Sequence, residues 1–163
     1  MSCYDLRDVT RGWAAANPPM RRRLTQGDYR SLAEFRHQIR RFLSFSEQAA
    51  RGAGLEPRQH QLLLALKGLP PHVRPRILEM AERLQIQHHS AVELVNRLEA
   101  GGLIRRRRSS GDRREVLLEL TPRGETILQR LSLHHRKELR SQGPQLISAL
   151  ERLLAGTSGR ATK

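Results

Sequence analysis

The centre of the chain reads ILEMAERLQIQHHSAVELVNRLEAGGLIRRRRSSGDRREVLLELTPRG from Ile77 to Gly124. Its first part has two segments with apolar residues at helical spacing, residues 77–84 and 88–100, separated by a short polar turn. Leu78, Ala81 and Leu84 are expected to face inward in the first segment. Two glycines end the second segment, because glycine accepts the positive φ found just past a helix. This order predicts a helix-turn-helix.

The second part of the same stretch predicts a basic β-hairpin. Two strands are expected, residues 103–107 and 115–120, on either side of a polar turn within residues 108–111. Thr121 and Pro122 then suit the N-cap and the first position of another helix. The fold class expected is mainly α with a small β-hairpin wing, that is, a winged helix-turn-helix flanked by N- and C-terminal dimerisation helices.

The second helix of the pair carries polar residues on its outer face. With Ala91, Leu94, Val95 and Leu98 facing the core, its N-terminal end presents groups that can hydrogen-bond base edges or phosphates in a major groove. Glu93 either accepts a hydrogen bond from a cytosine amino group or pairs with a neighbouring arginine, and we favour the intramolecular pair. The residues expected at a DNA contact in this helix are Gln87, His88, His89, Ser90, Asn96 and Arg97.

The hairpin concentrates cations on a shape narrow enough for its tip to enter a minor groove. Arg113 or Arg114 is the side chain expected to insert, and Asp112 is expected to clamp the loop by accepting hydrogen bonds from a guanidinium or from backbone amides. The hairpin residues expected to contact DNA are Arg106, Arg108, Asp112, Arg113 and Arg114.

The flanking segments have their own apolar stripes. A long helix is expected from the N-cap Asp28 to about residue 52, and another from Glu56-Pro57 to Gly68. A fifth helix follows Pro122, and a short sixth is expected after Gly143-Pro144. These outer helices offer more apolar surface than one winged helix covers, which predicts a homodimer. Its expected interface comprises Leu32, Phe35, Ile39, Leu146, Ile147, Leu150, Leu153 and Leu154.

The chain is therefore divided as follows. Residues 1–27 form an N-terminal extension, residues 28–155 form the domain, and residues 156–163 form a tail expected to be disordered. Within the domain the winged helix-turn-helix spans about residues 56–121, and the dimerisation helices span about residues 28–52 and 122–155.

Composition restricts the partners and the chemistry. A net charge of +14 and a pI of 11.6 attract polyanions, so nucleic acid is the leading partner and an anionic membrane surface is the alternative. No apolar stretch reaches the roughly 20 residues of a membrane span, and no secretory signal is present, which predicts a cytoplasmic protein without membrane association. The single cysteine, Cys3, excludes an internal disulfide, and the adjacent histidine pairs diverge on a helix. No metal or cofactor is expected.

The chain resembles the MarR family, the multiple-antibiotic-resistance type of transcription regulator, over about residues 28–154. The resemblance rests on Leu78-Glu79-Met80-Ala81-Glu82-Arg83-Leu84, Leu94-Val95-Asn96-Arg97-Leu98-Glu99, Gly102-Leu103-Ile104-Arg105-Arg106, Asp112-Arg113-Arg114 and Leu120-Thr121-Pro122-Arg123-Gly124. It implies a homodimer that binds double-stranded DNA at a pseudo-palindromic operator, most often as a repressor. It also implies release of DNA when a small phenolic or lipophilic effector enters a cleft between the dimer helices and the DNA-binding lobe.

Three positions depart from the family pattern: Gln85 replaces the usual glycine, Arg76 replaces a capping Ser or Thr, and Glu93 stands where a basic or small residue is frequent. The expected function is nevertheless a sequence-specific repressor. The alternative is a nonspecific architectural or RNA-binding protein, for which charge alone suffices. An enzyme is not expected, because no phosphate-binding glycine loop, His-Glu-x-x-His or activated nucleophile is recognisable.

Overall fold

Five helices and one β-hairpin make up the described part of the chain. The structure is a computed structural model that describes residues 24–109, 111 and 115–158. The expected mainly helical fold with a two-stranded wing is confirmed. The elements in chain order are α1 (Gln26–Gly52), α2 (Pro57–Lys67), α3 (Ile77–Leu84), α4 (His88–Ala100), β1 (Ile104–Arg108), β2 (Val116–Leu120) and α5 (Pro122–Ser158).

Helix α1 begins with a reciprocal capping pair. The Oγ1 atom of Thr25 accepts a hydrogen bond from the backbone N–H of Asp28 at 3.2 Å, and Asp28 Oδ2 accepts one from the backbone N–H of Thr25 at 2.8 Å. Thr25 is thus the N-cap, and Asp28, which the sequence predicted for that place, lies within the first turn. The predicted start was wrong because two donors are satisfied together when the pair is three residues apart.

The next three helices have the predicted bounds, but the inward face of α3 was partly wrong. Met80 and Ala81 are buried and Leu84 is half-buried, whereas Leu78 is 54% exposed. Ile77 and Met80 continue the stripe formed by Ala81 and Leu84 at spacings of three and four residues. Leu78 projects from the other side of the helix.

Helix α5 is continuous where two helices were predicted. Pro144 lies inside it, and no helix end is found at Gly143-Pro144. The φ angle of proline suits a helix, and Gly143 has no Cβ to clash with the proline ring, so one of the steric costs of proline inside a helix is absent here. The helix continues to Ser158, three residues into the segment predicted to be disordered. Residues 159–163 lie outside the described part, as do residues 1–23 with Cys3.

One core joins the helix-turn-helix to the wing. The largest side chains that are less than 2% exposed come from α2, α3, α4 and both strands, namely Leu62, Leu63, Met80, Val95, Leu98, Ile104 and Leu118. The two long helices α1 and α5 pack along each other, and Ala50, Leu128 and Leu131 extend the core between them. The helix-turn-helix and the hairpin are therefore supported by the same apolar cluster.

Among the helices of the described residues, none is both long and apolar enough to cross a membrane.

Candidate nucleic-acid interface

The turn between α3 and α4 is tight and left-handed at one residue. Gln85 has φ 51° and ψ 48°, the αL conformation that glycine adopts with least strain. Its backbone N–H donates to the carbonyl of Glu82 at 3.1 Å, and the N–H of Ile86 donates to the carbonyl of Ala81 at 3.0 Å. The glutamine is thus accommodated in the turn, and Ala81 is buried, as predicted for the inward face of α3.

Helix α4 buries one face and exposes the other as the sequence predicted. Ala91, Leu94, Val95 and Leu98 are buried. On the opposite face Gln87, His88, His89, Glu93, Asn96 and Arg97 are exposed and Ser90 is half-buried. The N-cap Gln87 makes no side-chain capping hydrogen bond, so the backbone N–H groups of the first turn remain available to an acceptor outside the helix.

Three polar residues near the end of α4 and in β1 are bonded to one another. The guanidinium of Arg106 donates through Nη1 to Glu99 Oε2 and through Nη2 to Asn96 Oδ1, the latter at 2.6 Å. The backbone N–H of Arg106 donates to Glu99 Oε1 at 3.0 Å. Asn96 and Arg106, both predicted to contact DNA, therefore already satisfy part of their hydrogen-bonding capacity within the protein.

Glu93 behaves differently from expectation. It forms no ion pair with any residue in the described ranges, so the intramolecular pair that the sequence favoured is not found there. The acid of α4 that pairs with an arginine is Glu99, close to the point where α4 meets the wing. Sequence spacing did not reveal this, because the contact depends on how the hairpin folds back on the helix.

The two strands of the wing are antiparallel, with Arg106 opposite Leu118 and Arg108 opposite Val116. On the other face Glu119 lies between two arginines: it accepts from Arg107 Nε and from Arg105 Nε, the latter at 3.0 Å. The hydrogen bond from Arg107 is the main reason that the pKa of Glu119 lies below its ordinary value; burial opposes it and Arg105 reinforces it. Two of the four arginines in β1 thus share one carboxylate, and this group of three side chains keeps a net charge of +1.

Strand β2 and the residue that precedes it are tied to the segment before α3. The side chain of Glu115 is bonded to Arg74 Nη1 and lies 3.7 Å from Arg76 Nε. The backbone N–H of Leu118 donates to the carbonyl of Pro75 at 2.8 Å. Glu115 and Arg74 were missed as organising residues, since 41 positions separate them along the chain.

The remaining cations are exposed. Within residues 24–109, 111 and 115–158, no acid pairs with Arg97 or Arg108. The predicted wing-tip residues Asp112, Arg113 and Arg114 lie outside the described residues. The structure therefore builds α4 and a hairpin with an exposed arginine, Arg108, on one hydrophobic core.

A cleft separates α4 from the long helix α1. Its volume is about 550 Å³, and it is bordered by the end of α1, the start of α2 and the side of α4. Arg97 lines it, so one residue belongs both to this cleft and to the outer face of α4. The other charged or polar lining residues include Glu47, Arg51, Glu56, Arg58 and Gln61. No group of three or more metal-ligating side chains occurs in the part of the chain that the structure describes.

We compared the chain with known protein families and structures. Residues 53–115 match the MarR family model. No curated protein sequence gives a significant match.

Solved structures of MarR regulators superimpose on most of the chain. AbsC from Streptomyces coelicolor is 20% identical with a TM-score of 0.62, and the match covers 85% of this chain and 99% of AbsC. A point mutant of S. aureus MepR bound to an oligodeoxyribonucleotide is 18% identical with a TM-score of 0.59, covering 83% and 99%. Bordetella bronchiseptica BpsR, whose DNA binding is regulated by 6-hydroxynicotinic acid, is 22% identical with a TM-score of 0.55, covering 77% and 90%.

At such identities the likeness to solved structures establishes the fold, while the family model matches the sequence of the helix-turn-helix and of β1. Both point to the same class of DNA-binding transcription regulators, whose members are not enzymes. Residues 53–115 therefore carry the sequence pattern of the MarR family, and they lie within a fold that the chain shares with solved structures of MarR family transcription regulators.

Proposed function

We propose that the protein is a homodimeric, sequence-specific repressor that occupies promoter DNA. The observation that carries this proposal is the exposed polar N-terminal end of α4, whose first turn has no side-chain cap, on the same core as a basic hairpin. Free backbone N–H groups, histidine and serine side chains can all hydrogen-bond base edges or phosphates in a major groove. A charged surface alone offers no such arrangement.

Different parts of the interface have different roles in this proposal. Gln87, His88, His89 and Ser90 read base edges, because they lie at the end of the helix that enters the groove. Arg97 and Arg108, which are exposed, neutralise phosphates. At the wing tip Arg113 or Arg114 enters the minor groove and Asp112 holds the loop, as the resemblance implies.

A second copy of the chain completes the regulator. Several apolar side chains of α1 and α5 are exposed, among them Leu32, Ile147 and Leu150, while Phe35, Ile39, Leu146 and Leu153 are half-buried. Leu154 is also exposed on α5. A second copy of the chain packed on this surface would bury these side chains. In such a dimer the two copies of α4 would lie about one helical turn of DNA apart, roughly 10 base pairs.

The cleft beside α4 is the proposed effector site. It lies between a proposed dimer helix and the DNA-binding lobe, and Arg97 lines it. A small molecule in this cleft would contact the recognition helix itself, and one that binds more tightly when the helix is displaced would shift the protein away from its DNA-binding conformation. The effector regulation of BpsR by 6-hydroxynicotinic acid makes an anionic ring compound a suitable first probe, because Arg51 and Arg58 also line the cleft.

A binding titration tests the proposal. The probe is the promoter DNA flanking the protein's own gene, with random duplex as competitor and salt varied. Competitor-resistant binding of one dimer per site supports a specific regulator, and a reporter fused to that promoter should be transcribed less in its presence. Equal and steeply salt-dependent binding to both DNAs would instead establish the nonspecific architectural alternative, for which the net charge of +14 suffices.

A further inference from the structure

Arg106 connects the wing to the recognition helix through three hydrogen bonds. Two come from its guanidinium, to Glu99 and to Asn96, and the third comes from its backbone N–H to Glu99. Asn96 and Glu99 are three residues apart, so they lie on the same face of α4. One residue of β1 is therefore attached to two positions about one turn apart on α4.

The guanidinium of Arg106 and the carboxylate of Glu99 are suited to holding the hairpin at a fixed angle to α4. The guanidinium presents its donors in a rigid planar fork, and both carboxylate oxygens of Glu99 accept from Arg106. A rotation of the hairpin away from α4 would break all three bonds at once. In contrast, Arg105 and Arg107 on the opposite face of β1 pair with Glu119 of β2, which links the hairpin only to itself.

We propose that Arg106, held by Glu99 and Asn96, is a positioning residue that sets the angle between the wing and the recognition helix, in place of the DNA contact predicted from its sequence position. This inference rests on the proposed DNA-binding function. A wing held at the correct angle before binding lowers the ordering cost of engaging two adjacent grooves simultaneously.

The sign of one substitution separates the two roles. Glu99 is an acid close to the proposed phosphate path, so simple electrostatics predicts that Glu99→Ala strengthens DNA binding. We call the contact of Arg106 with Glu99 and Asn96 the clamp. The clamp predicts that Glu99→Ala weakens DNA binding, because the wing loses its support. Arg106→Ala lowers the affinity for DNA whether Arg106 contacts DNA or positions the wing, so it is informative only together with Glu99→Ala.

The first test uses the free protein. Hydrogen exchange of the Arg106 backbone amide, measured by NMR, should become about tenfold faster in Glu99→Ala, since this amide loses its acceptor. Glu119→Ala is the matched control on the opposite face and should leave that rate unchanged. An unchanged rate in Glu99→Ala overturns the clamp, whatever the protein binds.

The second test uses a duplex that the wild-type protein has selected from a random library. Glu99→Ala, Arg106→Ala and the double variant should each lose affinity by a similar factor, about tenfold, because either substitution opens the same clamp. The clamp is wrong if Glu99→Ala binds more tightly while Arg106→Ala alone lowers the salt slope by about 1, the signature of a phosphate contact. If wild type does not prefer the selected duplex, the proposed function fails, while the exchange result still decides the clamp.

Thermal unfolding of each variant checks the fold. Where Glu99→Ala is unfolded, Glu99→Gln replaces it, because glutamine keeps one acceptor oxygen for the Arg106 amide. It should show a smaller loss of affinity in the same direction. A gain in affinity for the folded Glu99→Gln variant overturns the proposal.

Discussion

The imidazole rings of His60 and His135 are stacked, with centroids 4.9 Å apart and an interplanar angle of 9°. His135 Nδ1 lies 2.6 Å from the carbonyl oxygen of Leu131, so in the neutral ring this nitrogen carries the proton. In the described part of the chain, the Nε2 atoms of both rings are buried without a hydrogen-bond partner. Phe42 and Phe45 of α1 make edge contacts with His135. Two buried histidines therefore occupy the junction of α1, α2 and α5.

This junction predicts a pH-dependent stability. Burial, assisted by the proximity of His135, lowers the pKa of His60 from 6.5 to about 4. The folded state therefore binds fewer protons than the unfolded state between these two values. The contribution of the neutral His60 to the free energy of unfolding is complete above about pH 6.5 and is lost as the pH falls toward 4. The total loss is on the order of 3 kcal/mol. Urea unfolding between about pH 4 and 7.5 measures it.

Two variants isolate the source of this pH dependence. His60→Phe keeps an aromatic ring but cannot titrate, and should flatten the profile. His72→Gln replaces an exposed histidine and should leave the profile as in wild type. A profile that keeps its slope in His60→Phe would assign the effect to another group.

Substitution of Gly124 is expected to destabilise the fold. A Cβ at this position would lie 2.0 Å from the carbonyl oxygen of Leu103, a backbone atom that cannot move aside easily. Gly124→Ala should therefore reduce the free energy of unfolding by about 3 kcal/mol, measured by chemical denaturation. Gly52→Ala is the control, because nothing lies within 4 Å of its added Cβ. Equal stability of the two variants would contradict the contact.

The left-handed residue of the helix-turn-helix gives a stabilising prediction. Because Gln85 has φ 51°, Gln85→Gly relieves strain and should raise the stability by up to about 1 kcal/mol. The same substitution at Gln61, an exposed residue inside α2, should lower it by about 1 kcal/mol. Thermal denaturation compares the two. A loss of stability in Gln85→Gly would show that the side chain contributes more than the strain costs.

The dimer predicts a change in mass. Leu150→Glu places a charge on an exposed apolar side chain of α5 and should convert the dimer to a monomer, as measured by light scattering after size exclusion. Leu64→Glu introduces the same charge on an exposed leucine of α2, outside the proposed interface, and should leave the mass unchanged. A dimer that survives Leu150→Glu would place the interface elsewhere.

Loss of a base contact and loss of a phosphate contact differ in their effect on sequence specificity. His89→Ala should cost about 1–3 kcal/mol of binding free energy and relax the preference at one base pair of each half-site. Arg97→Ala should weaken all sequences similarly and reduce the salt slope by about 1. Lys67→Ala, which removes a cation already paired with Glu125, is the charge control. Competition binding with point-substituted duplexes distinguishes the three.

The features predictable from the sequence are those that depend on neighbours along the chain. Helical periodicity predicted α4 and its buried face, the turn residues predicted its end, and Thr121-Pro122 predicted the start of α5. Thr121 indeed accepts a hydrogen bond from the backbone N–H of Gly124 at 3.1 Å. Each of these depends on φ, ψ and side-chain spacing over one or two helical turns, which short-range sequence carries.

Tertiary structure decided the rest. The pairing of Glu99 with Arg106 and of Glu115 with Arg74, the stacking of His60 on His135, and the close approach of Gly124 to Leu103 join residues from different elements. The continuity of α5 through Pro144 was also hidden, since local propensity favours a break. The sequence determined the elements and the charge, because these are local or additive. Which charged groups are paired and which remain exposed to solvent depended on how those elements pack, because an ion pair requires contact and not proximity along the chain.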